Sequence, residues 1–331
     1  MLHHSRRVTA VLASLVMTLA VRAPVAEGLA IAPTFDASIT GDTKAAAIEG
    51  VINQSINIYQ SLFADAITVP ILFRYSTTGP DGRTFGGLAQ SITGVYDVSW
   101  NSFTGALVAD AKTTNDATAN ASLPASPLSG IIDPSSANGR AVGLNTPPAE
   151  FVNGRGPFDG IVTLNSAQPF QFTRPVGPTM FDAQRSVEHE INEVLGLGSF
   201  LNVPGISLRP QDLFAWSAPG TRNLTSSGSR YFSIDGGTTN IVGFNQDASG
   251  DFGDWLSANC PQSNPFVQNA FVCAGQASDV SISSPEAINL DVIGYDLIAG
   301  TESVPEPATI IPLLAAVVTL AAVTKRRASA G

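Results

Sequence analysis

The chain has 331 residues, 44% of them apolar and only 13% charged, with a formal net charge of −10 and a pI near 4.7. Its 17 Lys and Arg are scattered, with no basic stripe interleaved with aromatics, which excludes nucleic acid as a partner and leaves the acidic balance as a solubility feature. The length allows one large domain or two lobes around a cleft.

At the start, Arg6 and Arg7 precede the apolar run Val8 to Val21, and small residues follow. This is the order of a cleavable secretory signal, assigned to residues 1–30. His3 and His4 fall inside it, so the exported chain keeps one histidine, His189. Ile48, Val51, Ile52, Ile56, Tyr59, Leu62 and Phe63 then recur at helical spacing and predict an amphipathic helix from about Thr43 to Phe63. In the following run Ile67 to Tyr75 every odd position is apolar, which predicts a strand, and Pro70 predicts that it lies at an edge or a bulge. From Ser91 to Phe158 the pattern weakens into surface helices, near Gly105 to Lys112 and Thr114 to Ser122, and Pro-punctuated loops. Gly160 to Asn165 reads as a second strand, expected to be the edge along which an extended substrate aligns.

The segment with the densest chemistry is a helix opened by Thr179 and Asp182 and stopped by Gly196 and Gly198. Val187, Ile191, Val194 and Leu195 form its apolar stripe, and His189 and Glu193 lie nearly opposite, one turn apart. An imidazole nitrogen and a carboxylate oxygen at that spacing can converge on one ion, with Glu190 flanking them as a general base. The run is one residue short of the HExxH zinc-hydrolase signature, with Glu193 in the place of the second histidine. A solvent-facing polar stripe gives the same periodicity. No nucleophilic triad competes, because the one remaining histidine is already used.

Downstream, short strands such as Tyr231 to Ile234 alternate with Gly/Asp-rich turns, and a last helix runs from Ser284-Pro285-Glu286 to Gly294. Asp235 reads as a turn residue, and Trp216 and Trp255 as packing residues. Asp247, Asp251 and Asp254 form a turn cluster in preference to a calcium site, since their spacing lacks the EF-hand pattern. Cys260 and Cys273 are expected to pair in an oxidising compartment. Val304-Pro305-Glu306-Pro307, the apolar stretch Ala308 to Val323 and Lys325-Arg326-Arg327 close the chain; sixteen residues fall short of the ~20 of a comfortable span.

That ending, over residues 299–331, resembles the PEP-CTERM sorting signal of exported bacterial proteins. The resemblance implies an exosortase-type partner, transient membrane association, removal of the tail, and release to the cell envelope or extracellular matrix. The longer pattern is similar to zincin metalloproteases that carry this signal: Ser186 to Gly196, Asp212-Leu213-Phe214, Tyr231 to Thr239, Gly250-Asp251-Phe252-Gly253-Asp254-Trp255 and Leu290 to Tyr295. It implies an α+β, zincin-like two-lobed domain with a mixed sheet, the N-terminal amphipathic helix, and an active-site helix at the cleft. The N-terminal lobe would span 31–200 and the C-terminal lobe 201–298. His189 and Glu193 match the family's metal ligands and Glu190 its base. Ser199, in the third-ligand position of related enzymes, is a poor zinc ligand. Asp212 is the candidate in its place, with an N-cap or turn aspartate as the other reading. The function expected is zinc-dependent hydrolysis of an extracellular protein or peptide. The alternative is a non-catalytic envelope or matrix binding protein on the same scaffold, stabilised by calcium.

Overall fold

The structure, a computed structural model, describes residues 28–201 and 208–298. The expected signal segment and sorting tail lie outside the described residues. No helix among the described residues is long and apolar enough to cross a membrane.

The chain is a mixed α+β protein built around a four-stranded sheet. Its strands are β1 (Ala30–Phe35), β2 (Thr68–Tyr75), β3 (Ala89–Thr93) and β4 (Gly160–Leu164), in the spatial order β1-β2-β4-β3. The first three neighbours are parallel, and β3 runs antiparallel to β4. The alternation in β2 has its physical cause in the two faces of the sheet. Val69, Ile71, Phe73 and Tyr75 enter the main core, while Leu72 joins Ile161, Val152 and Phe158 in a small cluster on the other face. That second cluster is capped by a hairpin of Glu150–Val152 and Arg155–Phe158.

Two expectations about edges are corrected. β2 lies inside the sheet despite Pro70, because its pairing with β4 begins one residue later, at Ile71 and Gly160, so the missing N–H interrupts no ladder bond with β4. β4 is also internal, and the edge beside the motif helix is β3.

Helix α1 (Ala45–Leu62) buries Ile48, Val51, Ile52, Ile56 and Tyr59, the stripe read from the sequence. Helices α2 (Trp100–Asp110) and α3 (Thr114–Ala121) follow β3, and the motif helix α4 (Ala183–Leu195) packs against α1, β3 and β4. Gly160 permits that last approach: a Cβ there would collide with Val194 Cγ2 and lie 2.9 Å from Cγ1. A second, antiparallel sheet joins Ala215–Ala218 with Thr221–Arg222 and Tyr231–Phe232, and the latter with Val242–Gly243. Helix α5 (Pro285–Val292), with Ser284 as N-cap, is the last among the described residues and packs against α3 and α4. Tyr295 then donates from its hydroxyl to the Leu195 carbonyl at 2.7 Å, tying the C-terminal segment to the end of α4.

Asp65, at the turn before β2, carries a pH-dependent load. Its Oδ2 accepts from the Asp296 amide at 2.9 Å and its Oδ1 is buried without a partner. Burial pushes its pKa from 3.8 to about 7. The folded state therefore holds a proton that the unfolded state releases, so stability falls as pH rises from about 4 to about 7. Asp65→Asn is expected to be more stable than the wild type at pH 8 by on the order of 3 kcal/mol and equal to it near pH 4. Urea midpoints at the two pH values check this, and an equal difference at both would contradict it.

Candidate metal centre

Asp182 caps α4 through a 3.2 Å bond from the Gln184 amide and is itself held by Arg174 at 2.6 Å. Gly196, at φ +132°, ends the helix. Every α4 residue is buried except His189 and Glu193, which open side by side onto a cleft. The cleft encloses about 520 Å³ and is bordered by Gly86 to Ser91 on one side and Asn269 to Val272 on the other.

Three ligand atoms converge at its floor. His189 Nε2 lies 3.4 Å from Glu193 Oε1 and 3.5 Å from Asp254 Oδ1. Zinc bonds of about 2.0–2.2 Å in a tetrahedron place ligand atoms about 3.3–3.6 Å apart, so these separations suit one ion. Among the described residues, His189, Glu193 and Asp254 are the group that could hold a metal. Calcium, which takes oxygen ligands alone, fits a site with an imidazole poorly.

The supporting contacts orient each ligand. The Val267 carbonyl lies 3.1 Å from His189 Nδ1, so Nδ1–H donates to it and Nε2 is the nitrogen left for an ion. Ser91, on edge strand β3, donates from Oγ to Glu193 Oε2. Asp254 is placed by its neighbour Trp255, which is fully buried against Phe232 and Phe244 and donates from Nε1 to Glu286 at 3.1 Å. The segment 266–268 runs along α4: Arg185 Nη2 donates to the Phe266 carbonyl at 2.6 Å, His189 meets Val267, and Asn192 Nδ2 donates to Gln268 Oε1 at 2.9 Å.

Burial opposes the imidazolium, but the Asp254 and Glu193 carboxylates outweigh it and hold His189 well above its usual pKa. Burial would raise Glu193, yet its hydrogen bonds with His189 and Ser91 keep it below the usual carboxylate value. Burial pushes Asp254 well up, and burial together with the Glu193 charge does the same to Glu190. Glu190 is 5% exposed, lines the cleft, and has Oε2 without a hydrogen-bond partner. An acid in that state is suited to exchange a proton with a group in the cleft.

A ligand imidazole must be neutral, while the Asp254 and Glu193 carboxylates favour the imidazolium of His189 in the metal-free site, so zinc and a proton compete for the ring. Zinc affinity is expected to rise from about pH 6 to about pH 8, and calorimetry in buffers of different ionisation enthalpy to register the release. Equal affinity at both pH values would contradict it.

Asp212 stands elsewhere. Its Oδ1 accepts from Arg230 Nη2 at 2.6 Å and from Ser199 Oγ at 2.7 Å, and its Oδ2 from the Arg209 amide at 2.9 Å. The carboxylate is engaged in a buried ion pair, and the acid that stands with His189 and Glu193 is Asp254, not the expected Asp212. Glu188 is likewise structural, accepting from Gln184 and the Val280 amide. Asp247 and Asp251 fold into turns by accepting from the Ser249 and Gly253 amides, and Asp235 does so with Thr239.

Cys260 and Cys273 are disulfide-bonded. The closed loop carries Val267, Gln268 and the cleft wall, so the bond braces the site. Cys260→Ser is expected to lower stability by about 3 kcal/mol. It should also weaken zinc binding about tenfold, as loss of an orienting contact does. Denaturation and zinc titration measure both, and unchanged zinc affinity would contradict the bracing role.

Comparison with protein-family models, with curated proteins and with solved structures gave no match.

Proposed function

We propose that the chain is an exported, zinc-dependent peptidase with a zincin-like two-lobed arrangement, in which His189, Glu193 and Asp254 hold the ion and Glu190 is the general base. The observation that carries this reading is the convergence of one imidazole and two carboxylates beside a buried acid with an unpartnered oxygen, at the floor of an open cleft. A zinc ion held there would polarise a scissile carbonyl and acidify water. Glu190 would take the proton from that water and pass it to the leaving amine. Edge strand β3, whose outer side borders the cleft, offers main-chain groups to pair with an extended peptide. The disulfide is compatible with export, and the substrate proposed is an extracellular protein or peptide. The exosortase-type partner and the cell-envelope location rest on the sequence of the tail.

The Gln268 amide, 3.2 Å from His189 Nε2, favours a second reading: an ion closed off by protein donors that stabilises a non-catalytic binding protein. Hydrolysis of casein or a peptide library by the zinc-loaded chain separates the two. Activity lost on chelation and restored by zinc supports the peptidase; stoichiometric zinc without hydrolysis supports the structural ion.

A further inference from the structure

Beside the three ligand atoms runs a chain of buried amides. Gln268 Nε2 donates to Asp254 Oδ1 at 2.8 Å and lies 3.2 Å from His189 Nε2. Gln268 Oε1 accepts from Asn192 Nδ2 at 2.9 Å. Asn192 Oδ1 is 2.8 Å from the Tyr59 hydroxyl, which is also 2.7 Å from the Glu188 carbonyl. Tyr59, Asn192 and Gln268 are all fully or almost fully buried.

This arrangement conflicts with a bound ion in one place and leaves a want in another. The Gln268 N–H group points its positive hydrogens at Asp254 and His189, where a cation would sit. Tyr59 has a single hydroxyl proton yet faces two acceptors, so either the Glu188 carbonyl or Asn192 Oδ1 goes without it. Turning both amides end for end, with every heavy atom position kept, resolves the two together. Asn192 Nδ2 then donates to Tyr59, Tyr59 donates to the Glu188 carbonyl, and Gln268 Nε2 donates to Asn192 Oδ1. Gln268 Oε1 is left facing Asp254 Oδ1 and His189 Nε2. Two oxygens at that separation repel unless positive charge lies between them.

We propose that Gln268 is a fourth protein donor to the metal: an ion entering between His189, Glu193 and Asp254 turns the Gln268 and Asn192 amides together, and Gln268 Oε1 joins it. This rests on the metal-centre reading above. Tyr59 biases the chain toward the turned form from two hydrogen bonds away. Because zinc favours four ligands, Gln268 would then act as a latch that yields, or makes way for a fifth position, when water or substrate enters.

The test uses the full chain labelled with ¹⁵N-glutamine, following the Gln268 side-chain amide by NMR as zinc is added, with zinc affinities for the wild type, Gln268→Leu and Gln268→Glu. One equivalent of zinc is expected to move the Gln268 amide resonance in step with binding. Gln268→Leu should weaken zinc about ten- to hundredfold, and Gln268→Glu, which has oxygen at both ends, should stay within about threefold of the wild type. A Gln268 resonance unmoved at saturating zinc, or wild-type affinity in Gln268→Leu, overturns the proposal and leaves the three-ligand centre standing. A wild type that takes up no zinc overturns both. The wild-type resonance decides the matter even where a variant fails to fold.

Discussion

Asp254→Ala is expected to cost the chain its zinc but not its fold, and Asp212→Ala to do the reverse. Asp254 Oδ1 is one of three atoms converging on the proposed ion, and removing a charged ligand exceeds the ten- to hundredfold loss expected for a neutral donor or a supporting contact. The affinity should therefore fall by more than about a hundredfold. Without metal, the same substitution removes a buried carboxylate whose pKa is already pushed well up, and this limits the penalty to folding. Asp212 is the opposite case. Its partner Arg230 is fully buried, and losing the carboxylate leaves that guanidinium charged and unpaired, a change that costs about 3–5 kcal/mol. Zinc titration and urea denaturation of the two variants give a crossed pattern. Retained zinc in Asp254→Ala together with lost zinc in folded Asp212→Ala would restore Asp212 as the ligand.

Glu190→Gln is expected to abolish most hydrolysis while zinc stays bound. Glu190 is not among the three converging ligand atoms, so its amide isostere leaves them in place. What it removes is the group proposed to accept and return the proton, a role that contributes about 10²–10⁴ in rate. The fall should appear in kcat, with KM nearly unchanged, because the cleft keeps its shape. Unchanged kcat would assign the proton transfer to another group.

Much of this centre was legible in the sequence because it depends on local periodicity. The stripe Val187, Ile191, Val194, Leu195 set the orientation of α4, and His189 and Glu193 are its two residues that are not buried. The pairing of Cys260 with Cys273 and the packing roles of Trp216 and Trp255 could also be read, since each follows from compartment or from side-chain size. Strand β3 was missed because all five of its residues are half-buried, so Ala-Gln-Ser-Ile-Thr carries no alternation. Asp254 was missed for a different reason. It reaches the site through the burial of Trp255 and the bracing of the 260–273 loop, contacts with no fixed spacing from His189. Pro70 misled because the rule about edges concerns a lost donor, and Pro70, one residue before the first register pair with β4, needs only its carbonyl, which accepts from the Asp159 amide.

Anomalous diffraction at the zinc edge from zinc-loaded crystals tests the central claim most directly. A single peak is predicted about 2.0–2.2 Å from His189 Nε2 and from one oxygen each of Glu193 and Asp254. A peak bound by Asp212, or none near His189, would contradict it.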